Sequence, residues 1–478
     1  VQKLMPRFVS LLPFIALAAC TVGSDYAGPS SAGVLPSGAH FARAAGVAAD
    51  AQPGVAAWWK TLGDPVLDAI EEKALATNPD LAAGGARVNQ ARAALRQEKA
   101  NRLPSASADA SYVHATLPGV NLGQSNQDSS GNSNISSLDF YNVGFDASWE
   151  VDVFGGRRRS VEAARASLGA AEANAADGQV SLTAEVAHAY INLRDRQHRI
   201  DLARDAAARQ HEILKLVEQR LGAGTTTALD VEQQRNLTEQ SDSALPPLMA
   251  ERDAYLNALA VLAGEAPGAL DAMLAAPAPV PLPPAEVAVG DPAALLQRRP
   301  DVRAAERQLA AATARIGVAE AARFPKVSFM GLIGVGGTDP GDIVDPDKFS
   351  ALLLPRISWN FLDFGRNAAR VGQAKGVREE AEARYRSAVL SALRDAEDAL
   401  SRYGAQRAVV ASVARSKASA DRAAVLVGQR FAAGTATRVD VLNAERQRLS
   451  ADQSLSQAIT AMTADYVAIQ KALGLGWR

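Results

Sequence analysis

The sequence predicts an α+β membrane protein in which each chain supplies four β-strands and long coiled-coil hairpins, arranged as an internal two-fold repeat. Three observations predict it. Gln219–Val231 returns as Gln429–Val441 with eight of thirteen positions identical, and Trp149, Phe154, Gly155 and Val161 align at the same offset with Trp359, Phe364, Gly365 and Val371. A duplication this large means that one chain fills two equivalent places in a pseudo-symmetric object. Second, residues 141–152 alternate. Tyr141, Val143, Phe145, Ala147, Trp149 and Val151 fall on one parity, and Asn142, Gly144, Asp146, Ser148, Glu150 and Asp152 on the other. That is the period of a strand with one wet face. Third, residues 157–220 and 366–432 are Ala-rich and charge-laced, which suits helices packed closely through small side chains. At 1.5 Å per residue each is roughly 100 Å long.

The elements follow in order. Lys3 and Arg7 precede the apolar run Phe8–Ala19, which is too short to span a bilayer and reads as a signal-peptide core. Leu17-Ala18-Ala19-Cys20 resembles a bacterial lipobox, so residues 1–19 are expected to be removed and Cys20 lipidated; Thr21, in place of Asp, fits outer-membrane sorting. Residues 20–56, rich in Gly, Pro, Ser and Ala, form a tether. The first repeat, 57–275, holds helices 58–77 and 79–102, strands 105–114 and 138–153, and helices 157–220 and 228–263. Pro104 stops the second helix, because proline cannot continue the ladder. Pro246-Pro247 should break or kink the last. Residues 276–290, with five prolines from Pro277 to Pro284, make a stiff connector. The second repeat, 291–473, holds helix 300–323, strands 326–336 and 349–362, and helices 366–432 and 438–473; a tail, 474–478, ends the chain. The copies differ by eleven residues in the segment that follows Pro104 and Pro325, because the first has the longer loop. Val186, Leu193, Ile200, Ala207, Leu214 and Leu221 recur every seven residues as a coiled-coil seam. Val389, Leu393, Ala396, Leu400 and Tyr403 continue that spacing in the second copy.

Several classes are excluded. A formal net charge of -2 offers no nucleic-acid footprint, and the single cysteine permits no disulfide framework. Beyond Cys20 no apolar run is long enough for a transmembrane helix, so any membrane crossing uses strands. The five histidines show no ligand-pair spacing, Gly334-Val335-Gly336-Gly337 lies between strand and loop, and no Gly-x-Ser-x-Gly elbow occurs. Neither enzyme nor cofactor is expected. Four strands cannot close a barrel, and open edges in lipid are costly. Three chains would give twelve strands, with Asp146, Glu150 and Asp152 lining a wet lumen. The helices would continue the tube as a second, α-helical barrel.

The chain resembles the lipidated branch of the TolC-like outer-membrane efflux factors. The resemblance rests on Trp58-Trp59 with Leu62-Gly63-Asp64-Pro65, on Asn78-Pro79-Asp80-Leu81 and Arg299-Pro300-Asp301-Val302, and on the two Phe-Gly strand exits and paired Gly-Thr turns. It implies a homotrimeric outer-membrane duct that passes small molecules from an inner-membrane RND-type transporter and a periplasmic adaptor. Residue by residue it implies adaptor contacts at Arg220, Gly224, Thr225, Thr227, Arg430, Gly434, Thr435 and Thr437. It also places a gate at Val439, Asp440 and Asn443, where Asn443 replaces a second acidic residue. Phe431 replaces a tyrosine whose hydroxyl could reach Asp230. From the residues alone, Gly224 and Gly434 end helices, and Thr227 and Thr437, or Asp230 and Asp440, cap the next ones. Two other readings fit the same pattern: the exit duct of a type I protein-secretion system, and a periplasmic coiled-coil scaffold lipoprotein without a pore.

Overall fold

The computed structural model describes residues 21–29, 40–44, 48–49, 54, 56–118 and 135–477. The expected signal peptide, Cys20 and much of the tether lie outside them.

In chain order, β1 (Ala48–Ala49) and a 3-10 turn at Trp58–Leu62 precede α1 (Pro65–Thr77), α2 (Pro79–Ala100), β2 (Ser105–Pro118) and β3 (Ile135–Val151). Then come α3 (Gly156–Gly222), α4 (Ala228–Ser243), α5 (Leu245–Leu262) and the short α6 (Asp271–Leu274). After β4 (Val287–Ala288) and α7 (Pro292–Arg298) the pattern repeats as α8 (Pro300–Ala321), β5 (Lys326–Gly337), β6 (Phe349–Ser358), α9 (Arg366–Ala432) and α10 (Arg438–Ala472). No helix among the described residues is long and apolar enough to cross a membrane.

Two compact units result. One contains the stretches Gln90–Leu168 and Arg307–Ala383 with the described residues up to Gly28. Its sheet is antiparallel in the order β2-β3-β5-β6. Register fixes the faces, since directly paired residues share one. On one face Tyr112 pairs Tyr141, Phe145 pairs Ile333, Trp149 pairs Phe329, and Gly331 pairs Leu353. That face is apolar except at one end of the β2–β3 pair, where His114 lies opposite Asp139 and Thr116 opposite Ser137. The other carries Ser105, Ser107 and Ser111 opposite Ser148, Asp146 and Asn142. It turns apolar across the sheet, where Met330 pairs Leu354 and Leu332 pairs Leu352. Each hairpin base is tied identically, since Trp149 Nε1 donates to Arg102 O and Trp359 Nε1 to Arg323 O, both at 3.0 Å.

The other unit holds the apolar core: Trp59, Leu67 and Ile70 against Val186, Tyr190 and Leu193 of α3, Leu259 of α5, Val389 and Leu400 of α9, and Val467 of α10. Helix starts here are capped. Asp64 Oδ1 accepts from Val66 N at 2.9 Å, and Asn78 Oδ1 from Asp80 N at 2.9 Å. Arg299, at the start equivalent to Asn78, instead reaches Ala472 O at 2.9 Å and pairs with Asp301 at 2.6 Å.

Four expected elements take a different form. The helix expected over 58–77 is a 3-10 turn and α1, separated at Gly63, whose φ of 67° ends the turn before Asp64 starts the helix. The helix expected over 228–263 is broken rather than kinked. It stops at Ser243 and restarts at Leu245, because Pro246 and Pro247 lack the N–H that a continuing ladder needs and sit in the new first turn. The second-copy strand ends at Ser358, so Trp359–Leu362 lie beyond it. The heptad seam is buried at Val186, Leu193 and Ile200, but further along Gln210 and Ile213 take over, and Leu221 is exposed. A 3.6-residue helix drifts about 20° per heptad against a strict seven.

Candidate functional site

Both long helices end in the same built turn. Gly224 and Gly434 each have φ of 71°, and a Cβ on either would meet nothing within 4 Å. The glycine is needed for the left-handed backbone and not for space. Around them, Thr225 N donates to Arg220 O and Gly224 N to Leu221 O, both at 2.9 Å. Thr435 N donates to Arg430 O at 2.8 Å and Gly434 N to Phe431 O at 2.9 Å. These are the crossed bonds of a Schellman motif. The threonine hydroxyls reinforce it, with Thr225 Oγ1 to Arg220 O at 3.1 Å and Thr435 Oγ1 to Arg430 O at 3.0 Å.

The returning helices start on reciprocal capping boxes. Asp230 N donates to Thr227 Oγ1 at 3.2 Å while Asp230 Oδ2 accepts from Thr227 N at 2.9 Å and Thr227 Oγ1 at 2.7 Å. Asp440 and Thr437 repeat this at 3.2, 2.7 and 2.7 Å. The sequence left threonine or aspartate as the cap; the turn uses both. One difference separates the two capping boxes. Thr226 Oγ1 gives Asp230 a further bond at 2.7 Å, and the second copy has Ala436 there. The side-chain and backbone bonds from Thr227, then Thr226, hold the Asp230 carboxyl down at about 2. Those from Thr437 hold Asp440 below the ordinary carboxylate range. Both carboxylates stay ionised at neutral pH. Phe431, Asp440 and Asn443 are exposed at this tip, and Val439 is half-buried.

Of the three carboxylates expected to line the wet face of β3, one is corrected. Asp152 lies past the end of β3, and its oxygens cap α3, accepting from Arg157 N at 2.9 Å and Arg158 N at 2.7 Å. Glu150 is within β3 but pairs with Arg157 at 3.1 Å. Asp146 stays on the polar face, paired in register with Ser107.

A duplicated turn on duplicated hairpins, together with an antiparallel sheet that has one largely apolar face, narrows the field, and residues 71–265 and 292–475 match the outer membrane efflux protein family. The chain belongs to that family. It is an outer-membrane efflux channel protein. It is 33% identical over 425 residues to the pyoverdine export outer membrane protein OpmQ of Pseudomonas aeruginosa, covering 88% of this chain and 87% of that one. It is 30% identical over 483 residues to the toluene efflux pump outer membrane protein TtgF of Pseudomonas putida, covering 98% and 97%. The solved outer-membrane channel OprN superposes with a TM-score of 0.85 at 34% identity, covering 96% of this chain and 100% of that one. The open-state MtrE channel of Neisseria gonorrhoeae gives 0.77 at 27%, covering 96% and 98%.

Sequence reasoning missed what ties the two hairpins of this efflux protein together near the tips. Arg438 Nη2 reaches Glu212 of α3 at 2.8 Å, and Arg209 of α3 reaches Glu445 of α10 at 2.9 Å. Further along, buried Asp195 of α3 accepts from Ser456 Oγ at 2.9 Å and Thr460 Oγ1 at 3.2 Å of α10. A signal was present in the duplication. At equivalent positions the copies carry opposite charge: Glu212 against Arg422, and Arg235 against Glu445. Arg438 stands where the first copy has Ala228.

Proposed function

We propose that this channel is the passive, gated duct of a tripartite pump. Three chains pair the open edges β2 and β6 to close a twelve-stranded barrel. Their helices form an α-barrel across the periplasm, and its tips meet an adaptor serving an inner-membrane RND-type transporter. The observation that carries the reading is the four-stranded sheet. It has two unpaired edge strands and one face that is apolar from Tyr112 and Tyr141 down to Val327 and Ile357, which a bilayer accepts only when neighbouring chains close the edges. Small molecules are its cargo, as the toluene-efflux and pyoverdine-export relatives support. Energy comes from the transporter, since the duct itself performs no chemistry.

The gate is the ring of three Asp440 carboxylates with Val439 and Asn443 beside them, held shut where Arg438 and Glu445 pin the second hairpin onto α3. Three like charges in a narrow ring repel one another and draw cations. Arg220, Gly224, Thr225, Thr227 and their counterparts Arg430, Gly434, Thr435 and Thr437 form the adaptor contacts. Cys20 carries the lipid anchor. Planar-bilayer recordings test the gate. Wild type should give small cation-selective steps, and Asp440→Ala should give larger, less selective ones. Unchanged conductance in the variant would remove Asp440 from the gate.

A further inference from the structure

We propose that Arg159 and the glycines around it form a docking site for the chain's own N-terminal segment, Thr21–Asp25, which fixes where the lipid on Cys20 enters the membrane. The inference rests on the lipid-anchor reading above. Its support is the treatment of one cation. The Arg159 side chain is 5% exposed although it sits on the first turn of α3. Its guanidinium donates to Gly23 O at 2.6 Å, to Asp25 Oδ1 at 2.7 Å, to Val22 O at 3.3 Å and to Glu162 Oε2 at 2.8 Å. Three of the four bonds go to the N-terminal segment, and two of those go to its backbone. Burying a guanidinium without such partners is strongly unfavourable, so the segment completes the site as much as the site holds the segment.

The rest of the surface is shaped for the same occupant. Val22 N donates to Phe154 O at 3.2 Å. A Cβ on Gly317 would lie 2.8 Å from Arg159 Cγ. One on Gly155 would lie 2.2 Å from Thr21 Cγ2, and one on Gly23, whose φ is 92°, would lie 2.7 Å from Gly317 Cα. Glycine at those three places lets α3, α8 and the segment close on one another.

The place is informative. Phe154 and Phe324 stack with centroids 4.7 Å apart, immediately beyond the ends of β3 and α8 where the apolar sheet face stops. Trp149 and Trp359 are bonded at that same end. Aromatic residues of this kind mark the membrane–water boundary. Cys20 is one residue from Thr21, about 3.8 Å along the chain. A docked segment therefore delivers the acyl chains at headgroup level beside each chain's sheet, and the anchor cannot wander on a free tether.

A nitroxide on Ser24→Cys in the full-length lipoprotein tests this. Ser24 is exposed, and the natural chain has one cysteine, whose thiol the lipid consumes, so the label count reads lipidation separately. One label per chain should be immobile and at headgroup depth by oxygen and nickel accessibility. Adding Arg159→Ala should leave one label, now mobile and water-exposed. Gly23→Val sets its side chain against Gly317 of α8 while changing no residue of α3 or the sheet, and should do the same. Amide exchange at Val22 should accelerate roughly 10- to 100-fold in both, the factor expected for losing one or two charge-assisted bonds. A label mobile in wild type, or immobile in both variants, would overturn the docking site. Two labels per chain would mean that Cys20 is a free thiol; the anchor role falls, while the exchange result still reports on docking.

Discussion

Two threonines and two aspartates at the tips set local stability through geometry and charge. Because both carboxyls are depressed, the capping boxes are fully stabilising above the unfolded aspartate range, and that stability is lost as pH falls through their folded values, near 2 for Asp230. Thr226, with Ala436 at its place in the second copy, is the difference between the two capping boxes. Titration of ¹³C-aspartate-labelled protein should show Asp230 rising in Thr226→Ala and Asp440 falling further in Ala436→Thr; unmoved values would show that the third bond contributes nothing. Gly434→Ala forces a side chain into the left-handed region at a cost of about 1–2 kcal/mol, with no steric clash to confuse the result. Faster amide exchange confined to residues 430–440 is the expected outcome. Buried Glu71 behaves oppositely. Burial, then the nearby charge of Asp68, pushes its carboxyl well above the ordinary value, and neither oxygen has a hydrogen-bond partner. Folding therefore favours its protonated form, so this group's contribution is most favourable below the unfolded value and is lost as pH rises through the folded one. Glu71→Gln should flatten that part of the thermal-stability profile between acid and neutral pH.

The elements show which signals survive reading in one dimension. Long helices were legible because composition and proline placement act locally, and α9 spans Arg366–Ala432 as its Ala-rich run suggests. Strand parity was legible for β3 because its alternation is nearly perfect, and poorly legible for β6, where Leu352 and Leu354 occupy the face that is polar in β3. The drift of the α3 seam was hidden because a heptad read from sequence carries no record of the helix's true pitch. The ion pairs between α3 and α10 were hidden because 226 residues separate Arg438 from Glu212. The break at Ala244 borders a cavity of about 370 Å³ lined by Leu202, Leu248 and Leu449 with Arg199, Glu251 and Arg446. Replacing Pro246 and Pro247 by alanine should fuse α4 and α5 into one helix, read as slower exchange at residues 243–248. Exchange that stays fast would assign the break to tertiary packing instead.

For the whole molecule, the duplication was the part most fully written in the sequence, and the division of labour between its copies the least. Both hairpins have the same turn, yet only the second brings Arg438 and Glu445 to α3. If those pairs hold the resting state, Arg438→Glu should raise the single-channel leak, and Glu212→Arg added to it should restore the low level. A double variant that leaks as freely as the single one would place the resting-state contacts elsewhere. Exposed pairs of this kind contribute little to global stability, so thermal unfolding should barely change while conductance does.

The opposite charges at equivalent positions have a consequence for assembly. Two identical halves would be interchangeable, and a ring of six single units could then do the work of three paired ones. With Glu212 aligned to Arg422 and Arg235 to Glu445, the two halves of this chain are not identical in that sense. A chain made of two first halves would present Ala228 and Arg235 to α3 where Arg438 and Glu445 now sit, with nothing to answer Glu212 and with Arg209 facing its own kind. Two copies of one half could therefore not reproduce the pairs between α3 and α10, and both halves together are the smallest piece that carries them.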